Sequence, residues 1–316
     1  MTFVEGDVIQ PIRVDGRVDA VWHFAADLRM DPAAAQEISA TNLMGTRRIL
    51  EFCTEQGAIL YYLSTAYVSG TRTGFVREDE LFCGQTFRNA YEASKAEAER
   101  LVQEWLLHHR GMVLRPSIVL GDMRTGTSLT FHGLYKMVWA LWLLRERLAT
   151  KTGKAGKELA NLMPRIPIVL PLFSPEARVN IVGAEYVTAL LVDLSRRPEA
   201  YGRTFHVTNP QPPTFQTLVE LTTGLLGVRS MRIVQATRIH LQELVQELDE
   251  STQRLAGWLW DQIQVYCPYL LADHPMFDMS NVKLVLGTIP DHQPINEATM
   301  DRLYRFAITH RFRDIE

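Results

Sequence analysis

The chain has 316 residues, 33 of them basic and 36 acidic, with a net charge of −3 and a pI near 6.3. No basic field marks it as a nucleic-acid binder, and 47% hydrophobic residues suffice for a sizeable core in one large α/β domain or two smaller ones. Cys53, Cys83 and Cys267 form neither a metal spacing nor an even disulfide set, which fits a reducing, cytoplasmic setting, and the scattered His240, His274, His292 and His310 predict no metal site.

The first seven residues lack the basic start and apolar core of a signal peptide. Phe3-Val4-Glu5-Gly6-Asp7-Val8 reads as the tail of a short strand and a turn. Residues 18–26, centred on Val21-Trp22-His23-Phe24, read as a buried strand, with His23 structural and Ala25-Ala26 small enough for a ligand to approach the backbone. A helix is expected over residues 36–56, with Leu43, Ile49, Leu50 and Cys53 on its apolar face and Gly57 at its end. The apolar run 58–63 is the next strand and ends in Ser64-Thr65. A polar loop (70–88) leads to a helix from Tyr91 to about His108. Residues 112–116 form a strand stopped by Pro116, and Ser117-Ile118-Val119-Leu120-Gly121 leads away.

Strands and helices alternating at this spacing predict an α/β fold with a doubly wound parallel sheet. Such sheets bind ligands beyond the carboxyl ends of their strands, so Ala25-Ala26, Ser64-Thr65 and Pro116-Ser117 should line one edge. Tyr91 and Lys95 are four residues apart and share a helix face. A free phenol, with a pKa of about 10, is a poor base at neutral pH. A fixed ammonium beside it would favour the phenolate. Thr65 or Ser64 could donate to a substrate oxygen while Tyr91 gives that oxygen its proton, a kit for moving a proton while a hydride moves elsewhere.

With these residues in order, the chain resembles an extended short-chain dehydrogenase/reductase of the NAD-dependent epimerase/dehydratase type. The resemblance rests on Gly6-Asp7-Val8, His23-Phe24-Ala25-Ala26, Thr41-Asn42-Leu43-Met44-Gly45-Thr46, Ser64-Thr65-Ala66-Tyr67-Val68 with Tyr91-x-x-x-Lys95, and Arg115-Pro116-Ser117-Ile118-Val119-Leu120-Gly121. It implies a Rossmann-type sheet and NADP as cofactor, with NAD open. Asp7 and Val8 match the adenine contacts, and Ala25 and Ala26 match the wall beside pyrophosphate and ribose. Asn42 matches an asparagine that orders the active site. Thr65 matches the catalytic hydroxyl, with Ser64 its neighbour. Tyr91 matches the acid/base, Lys95 the lysine that also holds the nicotinamide ribose, and Pro116, Ser117 and Ile118 the segment along the nicotinamide.

Arg178-Val179-Asn180-Ile181-Val182, Phe205-His206-Val207-Thr208-Asn209-Pro210 and Met276-Phe277-Asp278-Met279-Ser280-Asn281 are similar to the acyl-thioester reductase branch, which includes fatty acyl-CoA reductases. That branch usually has a proline and an aspartate where this chain has Gly183 and Glu185. The family's opening strand, Gly-x-x-Gly-x-x-Gly turn and helix, which close on the pyrophosphate, have no counterpart here. Gly121-Asp122-Met123-Arg124-Thr125-Gly126 lacks the third glycine. Met1 falls where the family's third strand begins, so roughly fifty to sixty residues are expected to be missing, by truncation in preference to loss. An exposed sheet edge and poor dinucleotide binding by residues 1–316 follow as expectations.

The expected domains are a partial dinucleotide-binding domain (1–125), a substrate-lobe insertion (126–178), further Rossmann elements (179–230) and a mostly helical substrate lobe (231–316). Residues 129–148 are rich in Trp, Leu and Met but too short, and interrupted by Lys136, to span a bilayer. They pack on the sheet, wall an acyl channel or touch a membrane surface peripherally. Lys151, Lys154 and Lys157 make a solvated loop or meet the phosphates of a carrier. Helices are expected near residues 184, 214–226, 239–260 and 296–309. The leading functional expectation is NAD(P)H-dependent reduction of a long-chain acyl thioester to aldehyde or alcohol. A sugar-nucleotide epimerase/dehydratase, a sterol-type dehydrogenase and a non-catalytic scaffold are the alternatives.

Overall fold

The computed structural model describes residues 2–150, 170–171, 176–227, 233–234, 254, 257–258, 261, 264–270 and 274–315. In chain order its elements begin with β1 (Ala20–His23), α1 (Ala35–Ser39), a π-helical turn (Ala40–Met44), α2 (Gly45–Gln56), β2 (Ile59–Leu63), β3 (Phe75–Val76), α3 (Ala90–Leu106), β4 (Gly111–Pro116) and β5 (Ile118–Leu120). There follow α4 (Leu134–Thr150), β6 (Leu170–Pro171), β7 (Ile181–Gly183), α5 (Ala184–Ser195), β8 (Thr204–Val207) and α6 (Phe215–Leu225). The last are β9 (Ile233–Val234), α7 (Cys267–Leu270), β10 (Met276–Phe277), α8 (Ser280–Leu286) and α9 (Glu297–Thr309). The chain forms two compact units, one of residues 1–119, 186–210 and 275–292, the other of 120–185, 211–274 and 293–316. Residues 275–292, expected in the C-terminal lobe, thus belong with the first unit.

The first unit is built on a parallel sheet of order β1-β2-β4-β8. Its register pairs Ala20 with Ile59, Leu63 with Leu114 and Pro116 with Val207. Parallel pairing brings every carboxyl end to the same side, as the alternating pattern predicts. One face is covered by α2 and α3: Ile49, Leu50 and Cys53 meet Leu60 and Tyr62 of β2, Ala98 and Val102 of α3, and Val113 of β4. Alternation along β2 sends Tyr61 to the other face, where its hydroxyl donates to the Ser195 carbonyl of α5 at 3.2 Å. Helices on both faces make the sheet doubly wound.

The strand expected at Phe3–Asp7 is absent: residues 2–19 form no strand, and Phe3 and Val4 are exposed. A strand needs ladder partners for its backbone groups, and no described segment lies beside this one to supply them. Asp7 instead closes a turn, its carboxylate accepting the Ile9 N–H at 3.1 Å. Val8 packs on the helix opposite Gly45, where an added Cβ would lie 2.9 Å from its Cγ1, so the glycine permits this contact. Among the described residues β1 ends the sheet order, with Trp22 39% and Phe24 51% exposed.

In the second unit, Phe131 stacks edge-on with Tyr135 and Phe312, and Trp142 packs on Phe312. Tyr135, Val138 and Ala140 of α4 are buried. Of the large apolar side chains described over 129–148, only Leu129 is exposed, so this stretch is spent mainly on packing. Among the described residues no helix is long and apolar enough to cross a membrane. The two departures at the β7–α5 junction are linked: a Cβ at position 183 would lie 2.4 Å from Glu185 Oε2, which accepts the Met123 N–H at 2.9 Å. In this conformation the Glu185 carboxylate occupies the space that a Cβ at residue 183 would take. The loop of Lys151, Lys154 and Lys157 lies outside the described residues, as does most of the helix expected over 239–260.

Gly70 has φ +54°, and an added Cβ would lie 2.2 Å from the Thr86 carbonyl oxygen. Gly70→Ala is therefore expected to lose at least about 2 kcal/mol of stability, read as a lower urea midpoint with unchanged slope.

Candidate active site

Three strand ends and one helix build the site. α3 opens with a reciprocal cap. The Asn89 side chain accepts from the Glu92 N–H at 2.9 Å, and Glu92 accepts from the Arg88 N–H at 2.8 Å. This cap fixes the first turn, which carries Tyr91. β2 ends at Leu63, and Thr65 caps the following 3₁₀ turn (Ala66–Ser69), its Oγ1 accepting from the Tyr67 N–H at 3.2 Å. The Thr65 side chain lies beside the Tyr91 phenol, close enough to favour its ionised form. Thr65 and Tyr91, 26 positions apart in the sequence, thus meet at the carboxyl edge of the sheet.

Lys95 is buried one turn further along α3. Its Nζ donates to the Leu63 carbonyl at 2.7 Å and the Tyr62 hydroxyl at 3.0 Å, and sits 4.4 Å from the Tyr62 ring centre. Burial pulls its ammonium down to about 7, against the opposing pull of Glu99. Burial also raises the Tyr91 phenol to about 12, with the Thr65 side chain pulling the other way. The expectation that Lys95 lowers the phenol is therefore corrected for this structure. Desolvation dominates, and the Lys95 ammonium is aimed at the end of β2. Burial thus favours the protonated phenol of Tyr91. Burial, reinforced by Lys95, pulls His23 down to about 3, so it is neutral at physiological pH and structural as expected, its Nε2 3.2 Å from Thr46 Oγ1.

Asn42 lies in the π-helical turn and joins two parts of the site. Its Oδ1 accepts the Asp27 N–H at 2.7 Å, and its Nδ2 donates to the Asp27 carbonyl at 3.1 Å and to Ser94 Oγ at 2.9 Å. The loop after β1 is thereby stapled to α3 between Tyr91 and Lys95. Ala26 is half-buried and Ala25 exposed beside this loop; Pro116 and Ser117 are buried at the end of β4, with Ile118 half-buried.

Ser64 does not join Thr65 and Tyr91. Its hydroxyl donates to Glu99 Oε2 at 2.5 Å, and Glu99 is paired with Arg115 inside the unit. In this arrangement the Ser64 donor is committed to Glu99. Glu78, Ser94, Glu99, Arg115 and His206 were not singled out from the sequence. Glu78 accepts the backbone N–H groups of His206 at 2.9 Å and Asn281 at 2.7 Å, and burial raises its carboxyl to about 7. The one available signal was the i, i+4, i+8 series Tyr91, Lys95, Glu99 on a single helix face.

Residues 10–165 match the NAD-binding family model described as Male sterility protein. The terminal R domain from the myxalamid PKS-NRPS biosynthetic pathway superposes with a TM-score of 0.75 at 24% identity, over 99% of this chain and 76% of its own. The chain therefore shares the Rossmann-type fold of this structure. A thiolation-reductase di-domain from an archaeal non-ribosomal peptide synthetase gives 0.67 at 18% identity, over 98% of this chain and 62% of its own. RMD from Pseudomonas aeruginosa, complexed with NADPH, gives 0.62 at 18%, over 97% of this chain and 88% of its own. Among curated proteins none matches.

The residues at this edge of the sheet fit the nicotinamide end of a dinucleotide. Ser117 Oγ and Thr208 Oγ1, at the ends of the paired strands β4 and β8, are buried hydroxyls without a partner among the described residues. Such groups are rare unless a ligand or water meets them. No glycine turn of this sequence supplies the pyrophosphate end.

The unfolded chain keeps the Lys95 proton up to about 10.4, while the fold releases it near 7. Between these values the unfolded state holds the extra proton, so Lys95 adds stability as pH rises across that window. Lys95→Met should remove this component: its urea midpoint should rise less than the wild type's between pH 7 and 10.

Proposed function

We propose that the protein is an NAD(P)H-dependent reductase of an acyl thioester, carried on CoA or a phosphopantetheine arm. The observation that carries this reading is the placement of Thr65 beside Tyr91 at the carboxyl edge of the sheet, with Lys95 one turn behind. The two similar structures described as reductase parts of assembly-line enzymes favour a thioester over a sugar nucleotide. NADP is the cofactor proposed first, with NAD as the alternative.

The nicotinamide, when bound, supplies the hydride. Thr65 directs its hydroxyl at the carbonyl oxygen and shares the growing negative charge with Tyr91. Tyr91, held protonated by burial, gives its proton to that oxygen. Lys95 holds the ribose side of the site and fixes the end of β2 through the Leu63 carbonyl. Asn42 keeps the loop after β1 in register with α3, and Ser117 meets the carboxamide. Asp7, Val8, Ala25, Ala26, Pro116 and Ile118 are proposed as the remaining cofactor contacts.

The test is NADPH oxidation with a long-chain acyl-CoA. Tyr91→Phe should lower turnover by about 10²–10⁴-fold while leaving the fold and NADPH binding unchanged. Full turnover by this variant would remove the reading. A fluorescence titration with NADPH beside NADH decides the cofactor.

A further inference from the structure

We infer that Glu99 is the positioning residue of the site: through Ser64 and Arg115 its carboxylate fixes the strand ends that carry Thr65 and Ser117, and it faces Lys95 one helical turn away. The inference rests on the reductase reading and adds a residue to it. Glu99 Oε2 accepts from Ser64 Oγ at 2.5 Å. Glu99 Oε1 accepts from Arg115 Nη2 at 2.6 Å, Arg115 Nε at 3.0 Å and Gln103 Nε2 at 2.9 Å. Both side chains of the ion pair are 0% exposed. Ser64 immediately precedes Thr65, and Arg115 stands two residues before Ser117. One carboxylate therefore sets the spacing of β2, β4 and α3 at the edge where the reaction takes place.

Stability alone is a poor explanation of this pair. Two apolar side chains of the same volume would fill the space without the cost of desolvating two charges. Specific placement accounts better for what the pair does. Around Lys95, Tyr62 of β2 is driven further toward its neutral form by burial, and His23 of β1 is neutral with a pKa near 3. Tyr91, on the same helix, is neutral with a pKa near 12. Glu99 is the opposite charge that supports the ammonium against burial. Arg115, on β4, is the cation that in turn compensates Glu99.

The experiment follows Lys95 directly. The protein is labelled with ¹³Cε-lysine, the Lys95 signal is assigned with Lys95→Arg, and its titration midpoint is read in wild type and Glu99→Gln. The midpoint should fall by about one unit or more in the variant, as expected for loss of a nearby opposite charge. An unchanged midpoint overturns the inference. If Glu99→Gln fails to fold because Arg115 is left uncompensated, Glu99→Gln/Arg115→Met removes both charges; loss of the Arg115 cation offsets part of the effect, so the midpoint should fall by less, and a midpoint that does not fall overturns the inference. Turnover is measured in parallel across pH with NADPH and an acyl-CoA. The limb of the profile that follows Lys95 should move with the NMR midpoint, and a limb that stays in place overturns the positioning role. A wild-type protein that reduces no thioester removes the reductase reading, whereas the NMR midpoint decides the Glu99–Lys95 link independently.

Discussion

The Glu99–Arg115 ion pair sits where β2, β4 and α3 converge, fully removed from water. Two buried charges are tolerable only when each finds the other and every remaining lone pair and N–H is used. Ser64 and Gln103 complete the carboxylate, and the Glu78 carbonyl takes a further N–H of Arg115 at 3.3 Å. These requirements are geometric, so the strand ends and the helix are held in one relative arrangement. Thr65 and Tyr91 meet because their supporting residues have little freedom to be elsewhere.

A second buried carboxylate extends the arrangement. Glu78 binds backbone N–H groups from β8 and from the start of α8, and β3 pairs in parallel with β10 next to it. His206 meets the Asp278 carbonyl at 2.8 Å and lies 3.4 Å from Arg115. Segments from three distant parts of the sequence are thereby sewn to the edge of the sheet by polar contacts. In a low-dielectric interior such contacts are directional, and losing one member leaves its partner unsatisfied. The polar network therefore specifies the arrangement more than the apolar core beneath it, which would tolerate small shifts.

Burial also sets the proton chemistry. It keeps Tyr91 protonated and weakens the hold of Lys95 on its own proton. A donor that keeps its proton until charge develops on the substrate oxygen suits reduction of a carbonyl, where the proton is needed only as the hydride arrives.

The sequence by itself determined the alternation of strands and helices, and so the parallel sheet and the edge where Thr65 and Tyr91 lie. The apolar run before Ser64, the glycine at the end of α2 and the proline ending β4 are local signals, and local signals survive without tertiary context. The Tyr91–Lys95 spacing was legible because a helix converts a separation of four into a shared face. Tertiary structure decided the rest. A strand at Phe3–Asp7 failed because strands exist only with partners. Ser64 and Thr65 look equivalent in sequence, yet one is claimed by Glu99 and the other by Tyr91. The direction of the Tyr91 shift depended on whether desolvation or the neighbouring cation dominated. Burial and pairing are properties of residues brought together from afar, and the order of residues along a chain does not contain them.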